Sequence, residues 1–519
     1  MRGIILKKNI QRLNNNFINI FLISFISIAI LGSSAEILPF FNELGPTGIY
    51  VTDLMVFLIV IACLLHRQVK KLFSHIYYWG TGHSRILITF IFLLVVLWQF
   101  YVVESINGKT LWDANMILNN VVNFHDTKSI TNEYLSVYPN NVLLFLYERG
   151  VWLLLNKPGI AGLTVALSRI NILLIDSSLI FCGLALRNLF NKRTAQIYLL
   201  LALFLMGLSP WIAVPYSDIW SFFFSSIAIC LTIWMYRAQN RWSKICPAFL
   251  LAFVVTGSYF MKPSLIIFYI AAGIVAFIAF LAKKKSIGIL SLATLSLTTI
   301  ILIFSFSTYQ KNISFLQLND NRALSIMHFA AMGSINKGAY NQADYYADKA
   351  IKNPEKRTQH DIKTYKRRIK GYKNIGNYQR FLVRKHVYNT ADGTFNWSGN
   401  GIKILFDQDK GNFAQKLFTT EKISFYRHTL FSFPIQIVWV VTLILILFSV
   451  PNQRLFTQIL KYSLIGFFFF LLIFEGGKSR YMIQLLPFII SLASIGGNEL
   501  FYRASKLRNH QNTISSPHR

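Results

Sequence analysis

Apolar runs of about 17–25 residues recur along most of the chain, separated by polar stretches that carry Lys and Arg. Runs of that length cross the ~30 Å hydrocarbon core as helices, so the pattern predicts an α-helical polytopic membrane protein. Twelve spans are expected, near 17–35, 49–65, 86–103, 161–186, 196–214, 219–236, 246–261, 264–281, 287–307, 431–449, 462–474 and 482–500. A further apolar run at 139–156 is interrupted by Glu148 and Arg149. Counting it as a crossing would leave Arg187, Lys192 and Arg193 outside; laid along the outer surface, it lets every later loop obey the positive-inside rule.

That threading puts both termini in the cytoplasm, with Lys7, Lys8 and Arg12 at one end and Arg503 to Arg508 at the other. The first apolar run has no small-residue cleavage pattern and reads as a signal-anchor. Four parts are expected. Residues 1–85 form a two-span N-terminal extension, and 86–307 a transmembrane core whose first outer loop is 104–160. Residues 308–430 form a mainly helical extracytoplasmic domain, and 431–519 the C-terminal helices and cytoplasmic tail.

Composition agrees with this picture. The 519 residues are 54% hydrophobic and 14% charged, with 45 Phe and a mean hydropathy of +0.45. The net charge of +31 raises the question of nucleic acid, but much of it falls in the short loops that the charge rule assigns to the cytoplasm, so no nucleic-acid partner is expected. The outer stretch 308–430 is also basic, with 21 Lys and Arg against 9 Asp and Glu. Such a surface suits anionic lipid headgroups or an anionic polymer; a solvated helix face is the plainer reading. The cysteines Cys63, Cys182, Cys230 and Cys246 lie in or beside predicted spans without metal spacing and read as core residues.

Four outer stretches carry polar groups where a connecting turn needs none. "LWDANMILNN" makes an amphipathic helix with Asp113 at its start, either as a cap or as a carboxylate able to take a proton from a hydroxyl. "PYSD" sets Asp218 on a tight turn, and "KPS" sets Lys262 on another, against the charge bias; a solvated acid and a snorkelling lysine are the plain alternatives. "FEGGKSRYMIQLLPF" crowds Glu475, Lys478, Arg480 and Tyr481 between two spans. Within the membrane, Asp176 lies two turns from Arg169 and is expected to pair with it. No zinc signature, phosphate-cradling loop or internal repeat is present; a need for a divalent metal stays open, and no cofactor is assigned.

In order and sidedness these motifs resemble the GT-C glycosyltransferases of the protein O-mannosyltransferase and aminoarabinose-transferase type. The matches are the early acid in "WDANMILNN", the loop helix in "YPNNVLLFLYERGVWLL", the second acid in "PYSD", and a late Glu-Arg-Tyr-Pro pattern at Glu475, Arg480, Tyr481 and Pro487. The segments "IMHFAAMG", "GAYN" and "ADGTFNW" look like uncharacterised integral membrane proteins of low-GC Gram-positive bacteria. Asp113 stands alone where mannosyltransferases have an Asp-Glu pair, which weighs against a protein acceptor.

The resemblance implies an inverting transferase at the cell membrane. It would move a sugar from a polyprenyl-phosphate donor to an extracytoplasmic cell-envelope glycan, teichoic acid or glycolipid. Asp113 would be the general base, Arg480, Lys262 and Tyr481 would hold the donor phosphate, Asp218 would support them, and Glu475 would orient Arg480. The competing readings are a transporter or flippase, and a polymerase or ligase, for a lipid-linked glycan.

Overall fold

The computed structural model describes residues 2–38, 84–106, 108–110, 112–281, 288–397, 404–406, 411–418 and 425–514. Among these, ten helices are long and apolar enough to cross a membrane. The expected span at 49–65, and with it Cys63, lies outside the described residues.

The chain opens with α1 (Arg2–Ala35) and, after the undescribed stretch, α2 (Ser84–Ser105). A short strand β1 (Gly108–Thr110) leads into three helices: α3 (Asp113–Val122), α4 (Phe124–Val137) and α5 (Val142–Leu154). Helix α5 covers the 139–156 run; at 13 residues and ~1.5 Å per residue it reaches about 20 Å, short of the hydrocarbon core. Glu148 on α5 is fully buried with neither carboxylate oxygen bonded. Burial alone pushes its pKa far up, so this carboxyl holds its proton. Its neighbour Arg149 lies over the Phe124 and Phe315 rings, 4.7 Å from each.

Helices α6 (Ile160–Leu189) and α7 (Lys192–Ala202) follow. The 196–214 run is not one straight span. After Ala202 the helix widens into a π turn over Leu203–Gly207, then breaks at Ser209 and Pro210, which starts a 3-10 turn. Two groups take up the freed carbonyls: Gln99 Nε2 donates to Gly207 O at 3.2 Å, and Asn171 Nδ2 donates to Ile212 O and Val214 O. Proline has no N–H to continue the ladder, and side chains from α2 and α6 satisfy what is left.

The expected Asp176–Arg169 pair does not form. Seven residues along a helix are separated by ~10 Å, too far for contact. Arg169 reaches Glu104 on α2 at 2.6 Å, and Asp176 accepts from Gln99 at 3.1 Å.

Four spans complete the first half: α8 (Ser217–Arg237), α9 (Arg241–Met261), α10 (Ile266–Leu281) and α11 (Ile289–Lys311). The next segment folds into α12 (Ile326–Met332), α13 (Gln342–Ala350), α14 (Pro354–Gly371) and α15 (Ile375–Thr390). Each starts at a side-chain cap. Ser325, Asn341, Asn353 and Asn374 accept from the backbone N–H two or three residues on, and Pro354 opens α14 where its missing N–H does no harm. A second strand, β2 (Ile404–Phe406), pairs antiparallel with β1, tying this segment to the first loop. Helix α16 (Phe413–Phe418) precedes the last spans, α17 (Phe425–Phe448), α18 (Leu455–Ile473) and α19 (Leu486–Ile514).

The helical segment does not stand clear of the bundle. Helix α15 packs along α1 and the end of α18, with Lys385, His386, Asn389 and Thr390 all buried. Lys385 Nζ donates to Gly333 O, Leu472 O and Phe474 O at 2.6–3.0 Å. Burial pushes this amine down to about 7, yet three carbonyl acceptors call for three N–H donors, which only the ammonium has. Two of those carbonyls end α18, the negative pole of that helix.

Candidate active site

The starts of α3 and α8 meet the ends of α9 and α18 at one end of the bundle, and the six residues to which the resemblance gives roles gather there. Asp218, in the first turn of α8, is the hub; its side chain is 2% exposed. Lys262, in the turn after α9, donates to its Oδ1 at 2.9 Å, and Arg480 Nε lies 3.6 Å from its Oδ2. Removing two cations and one carboxylate from water is tolerable only because the charges face each other.

Aromatic rings hold Arg480 from the other sides. Its guanidinium carbon stands 4.4 Å from the Trp112 ring centroid, 5.6 Å from Tyr216 and 5.7 Å from Tyr481. Trp112 in turn packs edge-on against Tyr216 and Trp211. Among the described residues no protein acceptor meets the terminal nitrogens of Arg480. The fork is therefore positioned but still has donors to give.

Asp113 follows Trp112 directly and begins α3. No side-chain hydrogen bond caps that helix, so capping does not account for the acid. Helix α3 buries Ala114, Ile117, Leu118 and Val121, fixing which way Asp113 faces. The carboxylate is open to solvent yet crowded by protein, as on the wall of a cleft. That crowding raises its pKa, while the Arg480 charge, the Tyr216 hydroxyl, the Lys478 charge and the Tyr134 hydroxyl pull it back. Lys478 feels the same surroundings: burial, then Arg480, lower its pKa.

Glu475 does not orient Arg480. Its Oε1 accepts from the Tyr481 hydroxyl at 3.0 Å, and Asp218 takes the guanidinium. The reason is local: a 3-10 turn over Ser479–Leu485 turns residues 480 and 481 to different partners. Gln484 in the same turn accepts from Ser264 at 2.7 Å and, through its carbonyl, from Ser225 at 2.8 Å, pinning the turn to α8 and the Lys262 turn.

The loop before that turn is clamped by the α12–α15 segment. Gly477 has φ +68°, and its N–H donates to Asn389 Oδ1 at 2.6 Å. The Gly476 N–H donates to Gly338 O at 2.7 Å, and Ser479 Oγ bridges Tyr388 O and the Asp392 N–H. Tyr138, stacked at 6.2 Å on Tyr345, and Tyr340 stand within electrostatic reach of both Asp113 and Glu475, so the cleft has an aromatic wall.

Sequence reasoning missed Trp112, Tyr134, Tyr216 and Asn389. The one available signal was adjacency, Trp112 to Asp113 and Tyr216 to Asp218. Both oxygens of Asp218 face cations, which argues against a carboxylate-pair metal site here. Among the described residues, a group of three metal-type ligands occurs at His328, Asp348 and Asp361, on α12–α14.

A family model described as "Conserved hypothetical integral membrane protein" matches residues 6–500. No curated protein matches the chain. Two solved structures align, both from Archaeoglobus fulgidus. One is an oligosaccharyltransferase tethered with an acceptor peptide containing the NVT sequon, at 13% identity and TM-score 0.42, over 85% of this chain and 52% of that one. The other is the archaeal oligosaccharyltransferase AglB in complex with an inhibitory peptide and a dolichol-phosphate, at 11% identity and TM-score 0.37, over 84% and 53%. The present chain thus spans about half the length of either structure.

Proposed function

The chain belongs to that family of conserved hypothetical integral membrane proteins, and we propose that it is a GT-C-type membrane glycosyltransferase. In this reading it moves a sugar from a polyprenyl-phosphate donor to a hydroxyl of an extracytoplasmic cell-envelope glycan, teichoic acid or glycolipid. The observation that carries the reading is the convergence of an open, crowded Asp113 with an Arg480 whose terminal donors have no protein acceptor among the described residues.

The residues divide the chemistry. The acceptor hydroxyl gives its proton to Asp113 as its oxygen bonds to the sugar C1; the C1–O bond to the lipid phosphate breaks, and the phosphate leaves with the electron pair. Attack from the face opposite the leaving group inverts C1. A carboxylate with a raised pKa is a better base for this than an ordinary aspartate, since base strength follows pKa. The departing phosphate is already a competent leaving group, so cations serve it better than an acid. Arg480 offers two parallel N–H groups, and Lys262 and Lys478 add point charges. Asp218 orients Arg480 and Lys262 before donor arrives, so little reorganisation is needed at reaction. The charge rule supports an extracytoplasmic face, because Arg237 and Lys244 sit at the opposite ends of α8 and α9.

The test is Asp113→Asn in the purified full chain. Transfer from a short-chain polyprenyl-phosphate sugar should fall about 10²–10⁴-fold with the melting temperature unchanged. Normal transfer would remove Asp113 from the chemistry. Movement of the lipid-linked sugar across vesicles without any transfer would favour a carrier instead.

A further inference from the structure

Helices α12, α13 and α14 bring together four side chains that the proposed transfer does not use. His328, Asp348 and Asp361 are 0–2% exposed, and their ligand-type atoms lie within 4.8 Å of one another. His328 Nδ1 contacts Asp348 Oδ2, and lies 4.0 Å from Asp361 Oδ1. The half-exposed His360 puts Nδ1 3.1 Å from Asp348 Oδ1, and Ser325 donates to Asp361 Oδ2 at 2.8 Å.

The charges here do not balance in the usual way. Two buried carboxylates face one another, and among the described residues neither meets a Lys or Arg. The buried Arg357, one turn earlier on α14, instead bonds the carbonyls of Asn321, Ala323 and Ile351. Arg368 is held by Asp344. Two facing buried carboxylates with only imidazole and hydroxyl partners are expensive, and proteins meet such charge with a proton or a metal ion. Here imidazole nitrogen and carboxylate oxygen come from three different helices, the donor mixture that suits a borderline divalent ion over calcium or magnesium.

We propose that His328, Asp348 and Asp361 bind one transition-type divalent cation, of the Zn²⁺ or Mn²⁺ class, with His360 or water completing the coordination. Zn–N and Zn–O bonds of about 2.0–2.2 Å require the His328–Asp348 contact to open and Asp361 to draw in, both side-chain movements. The ion would staple α12, α13 and α14 into one body. That body carries Gly338, whose carbonyl receives the Gly476 N–H, and Gly333, whose carbonyl receives Lys385. The role is structural and independent of which reaction the cleft performs.

The experiment uses the full chain in detergent. After chelator treatment and dialysis, Co²⁺ as the probe should bind at one equivalent with a visible d–d band, which excess Zn²⁺ displaces. Zn²⁺ should restore a melting temperature lowered by the chelator. Asp361→Asn should lose the band. Failure of the wild-type chain to retain Zn²⁺ or give the band, with melting unmoved by chelator, would overturn the site in favour of a proton-bridged cluster. A band that survives in a folded Asp361→Asn variant would do the same. Because these readouts are made on the wild-type protein, an unfolded variant does not decide the outcome.

Discussion

Arg480→Lys separates the shape of the donor grip from its charge. Lysine keeps the positive charge but has neither the planar face that Trp112 covers at 4.4 Å nor two parallel N–H groups for a phosphate. Loss of cation–π packing accounts for about 0.5–2 kcal/mol, and loss of one charge-assisted hydrogen bond for about 1.5–3 kcal/mol. Together these are ~2–5 kcal/mol, and at ~1.4 kcal/mol per decade kcat/KM for donor should fall at least ~30-fold. Asp218 keeps Lys262 at 2.9 Å, so the buried acid is not stranded and the fold should survive. The assay is initial rate against donor concentration in detergent, paired with direct binding of undecaprenyl phosphate, which needs no knowledge of the sugar. A donor kcat/KM within threefold of wild type, or a defect confined to acceptor, refutes the phosphate assignment.

Three further outcomes follow from the same geometry. Transfer should rise with pH through the Asp113 pKa, since the base must be unprotonated; crowding raises that value, so the acid limb of kcat/KM should lie above the ordinary aspartate range near ~4 and vanish in Asp113→Asn. Asn389→Ala removes the acceptor for Gly477 N–H at 2.6 Å and should cost about 1–3 kcal/mol of stability as well as lowering transfer, whereas Asn389→Asp, which keeps an acceptor oxygen, should retain most of both. Glu148 has its folded pKa far above the unfolded value, so its contribution to stability is fully present below the unfolded pKa and is lost as pH rises from there through the folded pKa; Glu148→Gln should abolish that decline in melting temperature.

What could be read along the chain was charge set against hydrocarbon. Asp113, Asp218, Lys262, Glu475 and Arg480 each stand beside an apolar run, where a charge is costly enough to stand out. Their partners could not be read. Glu475 and Asp218 are equally acidic, and only the 3-10 turn after Ser479 decides which of them faces Arg480. Trp112 and Tyr216 look like two more apolar residues in a chain with 45 Phe and 24 Tyr. The Arg169–Asp176 pairing failed because shared helix face was taken for contact, although two turns of rise separate the side chains and α2 offered nearer partners. In 196–214, mean hydropathy outweighed the Ser209-Pro210 break, and satisfying the carbonyls around it depends on Gln99 and Asn171 from distant helices.

The 375–390 stretch shows why polarity misleads in a membrane protein. Lys385, His386, Asn389 and Thr390 fall in the basic 308–430 stretch, whose plainer reading is a solvated helix face, because a polar side chain normally seeks water. In the fold all four are buried, and Lys385 and Asn389 meet backbone that has run out of helical partners. Lys385 serves the end of α18, His386 meets Phe25 O, and Asn389 holds Gly477 N–H. Thr390 O receives Ser33 Oγ and Trp439 Nε1. An unbonded peptide group in an apolar setting costs several kcal/mol, so the helix ends of a bundle create demand for polar side chains well inside its surface. The α12–α15 segment meets that demand at the loop that carries Glu475 and Lys478. The cation geometry of the cleft therefore depends on a segment that contributes none of the six residues to which the resemblance gives roles.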